Sequence, residues 1–334
     1  MRTAIYGCGD RLEKWIINNA YFKKWLIEEC DYDIKVIIDR DRKKQGQFVC
    51  INTDVSVVEL NKCVDFDIEC FIITPSVGSE MIRNSIKQCI DNDPQIIELD
   101  TLIKMYYKWL YCQEKVTGAN AVEIGGPSKI FEDLYAGFRS CDGVNYSVET
   151  TWGDFSSFSY EYSGRQLGKQ YICEATELKD IPDTTYDVYL SSNNLEHIAN
   201  PIRALTEAYR VVKNGGLILI AVPRKENTFD HLRDVTSFSH LLDDYLNKVD
   251  EYDLSHLSEI LDNHDFLLDP ECGGREKFLD RSQKNYINRC LHHHVFSMDT
   301  LKTVFEYLGF KILRTGADPY NWIIVGEKIA EMKK

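Results

Sequence analysis

The sequence Ala121-Val-Glu-Ile-Gly-Gly-Pro-Ser128 decides the fold of the larger part of this chain. Its apolar beginning predicts a buried strand, Gly125 and Gly126 predict a tight turn, and Ser128 is a suitable N-cap for a short helix over 129–137. The stretch lacks the Gly-Lys-Ser/Thr of a phosphate-binding loop. An acidic residue followed at once by glycines favours a ligand that carries hydroxyl, amine or sulfonium groups.

Three later segments continue the alternation of strand and polar turn. They are 173–178 (Cys-Glu-Ala-Thr-Glu-Leu), 186–198, which contains Leu-Glu-His, and 210–223 (Arg-Val-Val-Lys-Asn-Gly-Gly-Leu-Ile-Leu-Ile-Ala-Val-Pro). With the opening stretch, and in this order, they resemble class I S-adenosylmethionine (SAM)-dependent methyltransferases of the type 11-like kind over about residues 119–223. The resemblance implies an α/β, doubly wound domain with a seven-stranded sheet, which the predicted helix 299–308 and the strands 310–313 and 321–325 complete.

The same resemblance implies which residues bind SAM. Asn145, near the end of a strand predicted over 143–146, stands where the family carries a ribose-binding carboxylate, and Glu149 is the competing candidate. Pro127 and Ser128 replace the family's x-G. The residues assigned to the cofactor are Glu123, Gly125, Gly126, Pro127, Ser128, Asn145, Glu174, Ala175, Thr176, Asn193, Leu195, Glu196 and His197.

Residues 1–105 predict a first α/β domain, also doubly wound. Strands at 3–6, 34–38, 70–73 and 95–98 alternate with helical segments, which favours a parallel sheet. Gly7 and Gly9 form a glycine turn, and Asp39 ends the second strand, where a carboxylate can accept from a ribose hydroxyl. Leu12 replaces the third glycine of the dinucleotide fingerprint. The pattern resembles the Rossmann-like N-terminal domain of bacterial glycan-biosynthesis enzymes.

The remaining chain is predicted to form a linker helix over 106–118 and a methyltransferase domain over 119–334. That domain carries an insertion at 224–296, far longer than the usual connection in an α/β unit. Segments 230–245 and 289–296 resemble methyltransferases of bacterial surface-glycan gene clusters. The insertion holds seven of the eight histidines: His231, His240, His256, His264, His292, His293 and His294.

A histidine of the insertion is predicted to be the general base that deprotonates a sugar hydroxyl, because imidazole titrates near neutrality. His231 is the first choice and His240 and His294 are the reserves. Arg233 is predicted to orient a phosphate or carboxylate of the acceptor.

A divalent metal is the alternative reading of the same histidines. His292 and His294 would share one face of a strand, and Asp230, His231 or Asp234 would complete the site. No Cys/His spacing typical of structural zinc is present in the sequence, so no metal site is assigned.

Composition limits the partners. The chain has 39 basic and 53 acidic residues and a net charge of −14, which disfavours nucleic acid. No apolar run reaches the ~20 residues that span a membrane. The 11 cysteines are scattered without a C-x-x-C pair, which predicts reduced thiols and a cytoplasmic location.

The sequence therefore predicts a SAM-dependent methyltransferase that O-methylates a sugar or nucleotide-linked sugar in bacterial surface-polysaccharide biosynthesis, in a chain that is monomeric or homo-oligomeric. Three alternatives stay open. The first is a methyltransferase for a non-sugar small molecule. The second is an NAD(P)-dependent sugar-nucleotide oxidoreductase or epimerase that uses Gly7, Gly9 and Asp39, although the first domain shows no Tyr-x-x-x-Lys pair. The third is a regulatory binding module, in which the first domain senses a nucleotide and the methyltransferase fold no longer turns over.

Overall fold

The computed structural model describes residues 1–91, 93–150, 153–154 and 158–329. Residues Met1–Leu110 and Gly316–Pro319 form one compact unit, and a second begins at Tyr111. The segment 106–118, expected to be one linker helix, is instead the end of the helix Leu99–Leu110 followed by a short helix Gln113–Val116. The left-handed backbone of Cys112 (φ 50°) separates the two helices.

The first unit is a six-stranded sheet, in the order β3-β4-β2-β1-β5-β6, in which only β3 runs antiparallel to its neighbour. Its strands are β1 (Arg2–Tyr6), β2 (Asp33–Ile38), β3 (Phe48–Cys50), β4 (Asp54–Val58), β5 (Cys70–Ile73) and β6 (Gln95–Glu98). The four predicted strands are therefore present. Besides Leu99–Leu110, the first unit contains the α-helices Asp10–Leu12, Ala20–Lys24 and Ser79–Cys89. It also contains the π-helical turns Glu13–Ile17 and Trp25–Glu29 and the 3₁₀ segment Leu60–Phe66.

The second unit contains a mixed sheet of eight strands among the described residues, in the order β11-β12-β8-β7-β13-β14-β16-β15. Its strands are β7 (Asn120–Ile124), β8 (Ser140–Asn145), β11 (Ser159–Tyr162), β12 (Arg165–Ile172), β13 (Tyr186–Ser192), β14 (Val212–Pro223), β15 (Phe310–Ala317) and β16 (Asn321–Lys328), and a separate hairpin pairs β9 (Glu149–Thr150) with β10 (Gly153–Asp154). The sequence predicted seven strands for this sheet. The additional strand is β11, which pairs antiparallel with β12 at the edge.

Helices cover this sheet and build the insertion. Around the sheet lie the 3₁₀ segments Lys129–Phe131 and Leu195–His197 and the α-helices Glu132–Tyr135, Pro201–Val211 and Met298–Tyr307. The insertion contains the α-helices Phe238–Asn247, Leu257–Asn263, Arg275–Ser282 and Asn285–Asn288 and the 3₁₀ segments Lys225–Asn227 and Pro270–Cys272. The insertion has a small core of its own, formed by Ile260, Cys272, Phe278 and Leu291.

Strand direction sets the place of a ligand site in the second unit. β7 pairs in parallel with β8 on one side and with β13 on the other, so the chain order reverses at β7. Ligands of open α/β sheets bind beyond the carboxyl ends of the strands at such a point. No helix in the described parts of the chain is both long and apolar enough to cross a membrane.

Candidate active site

A cavity of about 390 Å³ lies at the carboxyl ends of β7, β8, β12 and β13. Its volume is in the range of small-molecule sites. Nine of the thirteen residues assigned to the cofactor from sequence line it: Gly125, Pro127, Ser128, Asn145, Glu174, Ala175, Thr176, Asn193 and His197. The segments carrying them come together because each follows a parallel strand of the same sheet.

The glycine turn after β7 is required by its surroundings. Gly125 has a φ of +73°, and a Cβ there would lie 2.5 Å from Nδ2 of Asn194. A Cβ on Gly126 would lie 2.3 Å from the hydroxyl of Tyr160. Both positions therefore exclude a side chain, and the backbone of the turn forms one wall of the cavity.

Glu123 does not line the cavity. Its carboxylate is fully buried beneath the turn and accepts hydrogen bonds from Ser128 N (3.0 Å), Tyr135 Oη (2.7 Å) and Tyr160 Oη (2.8 Å). Burial raises its pKa above the ordinary value, although these hydrogen bonds oppose the shift. The place of Glu123 in this structure is that of a support for the glycine turn.

The two candidates for ribose recognition lie in different places. Asn145 ends β8, is buried, lines the cavity and donates from Nδ2 to the carbonyl of Gly126 (3.2 Å). Glu149 lies in the short strand β9, is exposed and is not among the lining residues.

Arg289, in the insertion, contacts Glu174, the acidic residue that follows β12. Arg289 donates to Oε1 of Glu174, and its guanidinium carbon lies 5.2 Å from the ring centroid of Tyr146. Its Nε lies 4.0 Å from a carboxylate oxygen of Glu251. Glu174, Tyr146, Glu251 and Arg289 all line the cavity, so the insertion supplies part of its wall.

The Leu-Glu-His segment after β13 turns one of its three side chains to the cavity. His197 lines it, whereas Leu195 and Glu196 are buried away from it. Burial, followed by the nearby His292, lowers the pKa of His197 well below the usual value, so its imidazole is neutral at neutral pH. Burial raises the pKa of Glu196 to about 7.

The catalytic residues predicted in the insertion lie away from the cavity lining. His231 is partly exposed, and its Nε2 lies 2.9 Å from Oδ2 of Asp265. Arg233 is only 3% exposed, and its guanidinium contacts the carboxylates of Asp230 and Glu259 and the carbonyl oxygens of His292 and His293. These partners occupy the donors of Arg233 that would orient an acceptor.

The reserve bases occur together in a separate cluster. Nε2 of His240 lies 3.0 Å from Nε2 of His256, and Nε2 of His294 lies 3.2 Å from the carbonyl oxygen of Ala199. His240 and His294 do not line the cavity either.

The residues of the alternative metal grouping are divided among three places. Nδ1 of His292 is 2.5 Å from Oδ2 of Asp230, and His231 pairs with Asp265. His294 lies with His240 and His256 instead.

The glycine turn of the first unit contacts other parts of the protein at the place where the dinucleotide of the oxidoreductase alternative would bind. Gly7 (φ +104°) lies against Thr74, whose Oγ1 would be 2.6 Å from a Cβ. The carboxylate of Asp39 accepts from Cys8 N (2.7 Å) and from Asp41 N (2.8 Å), and Nζ of Lys44 lies 3.7 Å from it. Both oxygens of Asp39 therefore already hold the local backbone.

Several lining residues had no role assigned from the sequence: Lys129, Ile130, Tyr146, Cys173, Ser192, Asn194, Ile198, Glu251 and Arg289 are examples. Most of them are next to a motif recognised in the sequence, so their distance from that motif could have predicted that they line the cavity. Glu251 and Arg289 belong to the insertion and had none. Tyr160, in the aromatic segment 154–162, packs beneath the glycine turn, and residues 155–157 of that segment lie outside the described residues.

Residues 126–220 match a family model described as a methyltransferase domain. The matched segment contains four of the five central strands, β8, β12, β13 and most of β14, and begins at the glycine turn after β7. The match supports a class I SAM-dependent methyltransferase domain in this part of the chain, with SAM as its cofactor. No curated protein matches the chain.

Solved structures resemble the chain at low identity. A SAM-dependent methyltransferase from Methanosarcina mazei has 16% identity and a TM-score of 0.37, over 66% of this chain and 97% of the other. The Burkholderia thailandensis 1,6-didemethyltoxoflavin-N1-methyltransferase, with its substrate and S-adenosylhomocysteine bound, has 11% identity and a TM-score of 0.39, over 68% and 78%. The CurJ carbon methyltransferase has 10% identity and a TM-score of 0.36, over 75% of this chain and 54% of its own. TM-scores this low carry no argument about substrate.

Proposed function

We propose that the protein is a SAM-dependent methyltransferase that transfers a methyl group to a hydroxyl of a sugar or nucleotide-linked sugar in bacterial surface-polysaccharide biosynthesis. The observation that carries the methyltransferase part is the cavity itself, which is walled by three of the four segments that resemble the family's motifs, 121–128, 173–178 and 186–198. The sugar part is supported by the resemblance of the insertion and of the first unit to surface-glycan enzymes.

The lining of the cavity fits SAM. Gly125 lines the cavity, so a ligand there can approach the backbone of the glycine turn. The carboxylate of Glu174, 42% exposed, is an acceptor for the hydroxyls of a ribose or the amino group of an adenine. Bound there, SAM supplies an electrophilic methyl group on a sulfonium.

The chain's own residues must align the acceptor and take its proton. Methyl transfer is an in-line displacement, so alignment supplies much of the rate. We assign the base to His197, because its imidazole lines the cavity, whereas His231, His240 and His294 do not line it. Glu251 and Arg289 offer a carboxylate and a guanidinium for an acceptor's hydroxyl or phosphate groups.

Calorimetric titration tests the cofactor. S-adenosylhomocysteine, NAD⁺ and NADP⁺ are each titrated into the full-length protein, and we expect heat of binding from S-adenosylhomocysteine alone. Binding of the dinucleotides alone would overturn the proposal and transfer the activity to the first unit.

Transfer of labelled methyl from SAM tests the acceptor and the base. Sugar nucleotides are compared with lipid and polyketide hydroxyl compounds, and product from the latter alone would replace the sugar assignment. His197→Gln should lower kcat by ~10²-fold or more, with S-adenosylhomocysteine affinity kept. A loss confined to His231→Ala, His240→Ala or His294→Ala would return the base to the insertion.

A further inference from the structure

The strongest unassigned feature of the second unit is a group of three histidines and one aspartate in the insertion. His240, Asp244, His256 and His294 each offer one ligand atom, and all four atoms lie within 4.8 Å of one another. His240 and Asp244 are one turn apart on the helix Phe238–Asn247, where residues i and i+4 share a face. The other two histidines are brought to that face from distant positions in the chain.

Three of the six distances within this group are close to the edges of a metal tetrahedron. Nε2 of His240 lies 3.0 Å from Nε2 of His256 and 3.3 Å from Oδ2 of Asp244, and that oxygen lies 3.8 Å from Nε2 of His294. Ligands about 2.0–2.1 Å from a tetrahedral Zn²⁺ are roughly 3.3–3.4 Å apart. The other pairs lie within 4.8 Å, so a cation at the centre requires the side chains to draw together and His294 to exchange its contact with the carbonyl oxygen of Ala199 for the ion.

An unsatisfied carboxylate oxygen points into the same group. Asp244 is 8% exposed, and its Oδ2 is buried without a hydrogen-bond partner, although it faces two imidazoles. Nδ1 of the buried His294 is also without a hydrogen-bond partner. Buried polar atoms of proteins are satisfied in the great majority of cases, and a missing ion is a recognised cause of exceptions.

Two more carboxylates lie near the group. Asp243 and Asp253 act electrostatically on Asp244, and their negative field favours a positive ion.

Two other groups could be considered, and both are weaker. Glu196, His197 and His292 provide three ligands, but His292 is hydrogen-bonded to Asp230 at 2.5 Å, and its pKa is raised although burial opposes this. His264, Asp269 and Cys272 also provide three. Of the groups within the described residues, only the first offers the four nitrogen and oxygen ligands that close a tetrahedral site.

We propose that His240, Asp244, His256 and His294 bind a divalent transition-metal ion of the zinc type as a structural site. Four protein ligands leave no position for a substrate, which is the mark of a structural site rather than a catalytic one. The ion holds three parts of the insertion together, and hydrogen bonds join two of its ligand residues to the segment that borders the cavity: Nδ2 of Asn200 donates to the carbonyl of Asp244 (3.0 Å), and His294 N donates to the carbonyl of Glu196 (3.4 Å).

The test uses the full-length protein after treatment with a chelator. Zn²⁺ is titrated calorimetrically, and Co²⁺ is titrated while the visible absorption of four-coordinate cobalt is recorded. We expect one equivalent of each ion to bind, the intense absorption of tetrahedral Co²⁺, and a Zn²⁺-dependent rise in Tm because the ion binds only the folded state.

Variants locate the site. His240→Gln and His256→Gln should each weaken Zn²⁺ binding about 100-fold and remove the cobalt absorption. His231→Gln is the matched control, because this partly exposed histidine also lies in the insertion but outside the group. S-adenosylhomocysteine binding and circular dichroism confirm that each variant is folded, and Asp244→Asn provides a second test should either histidine variant fail to fold.

The outcomes separate this proposal from the methyltransferase proposal. Wild-type protein that binds neither ion, or variants of the four residues that bind both like wild type, would overturn the metal site whatever SAM does. Metal binding in a protein that does not bind S-adenosylhomocysteine would leave the metal site standing and overturn the methyltransferase proposal instead.

Discussion

Each unit of this protein has a glycine turn directly after the strand at the middle of a parallel sheet, and the two turns have different surroundings. After β7, the turn at Gly125 borders a cavity of about 390 Å³. After β1, the turn at Gly7 is filled from within: Thr74 contacts Gly7, and Asp39 accepts hydrogen bonds from two backbone N–H groups. The local sequence pattern, a strand followed by a glycine turn, is the same in both places.

The difference lies in the side chains that converge on each turn. In the second unit the acidic residue nearest the turn is Glu123. Strand alternation places its side chain beneath the turn, which leaves the side that faces the cavity for a ligand. In the first unit the acidic residue Asp39 follows β2, and its two carboxylate oxygens accept hydrogen bonds from backbone N–H groups of the protein. A strand, a glycine turn and an acidic residue therefore do not by themselves make a binding site.

Substitution of the two turn glycines should give the largest contrast. Gly125→Ala places a Cβ against Asn194 at a positive φ, a strain of about 1–3 kcal/mol, and should weaken S-adenosylhomocysteine binding at least tenfold by calorimetry. Gly7→Ala carries comparable strain in the first unit and should lower its stability while cofactor affinity stays within twofold. Equal losses of affinity in both variants would contradict the separation of the two turns.

The acidic end of β12 should give a smaller effect. Glu174→Gln removes a charged acceptor and the partner of Arg289, and since Glu174 is 42% exposed we expect about a fivefold loss of S-adenosylhomocysteine affinity. Glu177→Gln makes the same change at an exposed residue outside the lining and should bind like wild type. Unchanged affinity in Glu174→Gln would remove this residue from the site.

The carboxylate beneath the second turn should appear in the pH dependence of stability. The pKa of Glu123 is raised in the folded state, so its contribution to stability is full below the unfolded pKa and is lost as the pH rises through the folded pKa. Glu123→Gln does not titrate, so its Tm should rise relative to wild type between pH 5 and pH 8, by about 2–4 °C for each kcal/mol. A constant difference in Tm across this range would show that the pKa of Glu123 is not perturbed.

The smallest effect is expected at Gly9. This residue has open space where a Cβ would be added and its φ is −133°, so Gly9→Ala should leave Tm within about 1 °C. Wild-type protein should also give no heat with NAD⁺. Dinucleotide binding that Gly9→Ala abolishes would show that the first turn is a phosphate site after all and would break the comparison.

Sequence alone predicted the central strands and nine of the residues that line the cavity. The strands at 3–6, 34–38, 70–73 and 95–98 were readable from short apolar runs. Gly125, Glu174, Asn193 and His197 were also readable as one site, because residues that follow parallel strands meet at one edge of a sheet whatever their separation in sequence. Periodicity and strand direction are local properties, and the sequence carries them directly.

Tertiary structure decided which side chains share a surface. Arg289 reaches Glu174 from 115 residues away, and neither residue carries a local signal of the other. The histidines that look alike in sequence are separated by packing: His231 pairs with Asp265, His292 pairs with Asp230, and His294 joins His240 and His256. Long-range contacts depend on how the helices of the insertion pack around their own small core, and no pattern within a single segment encodes that arrangement.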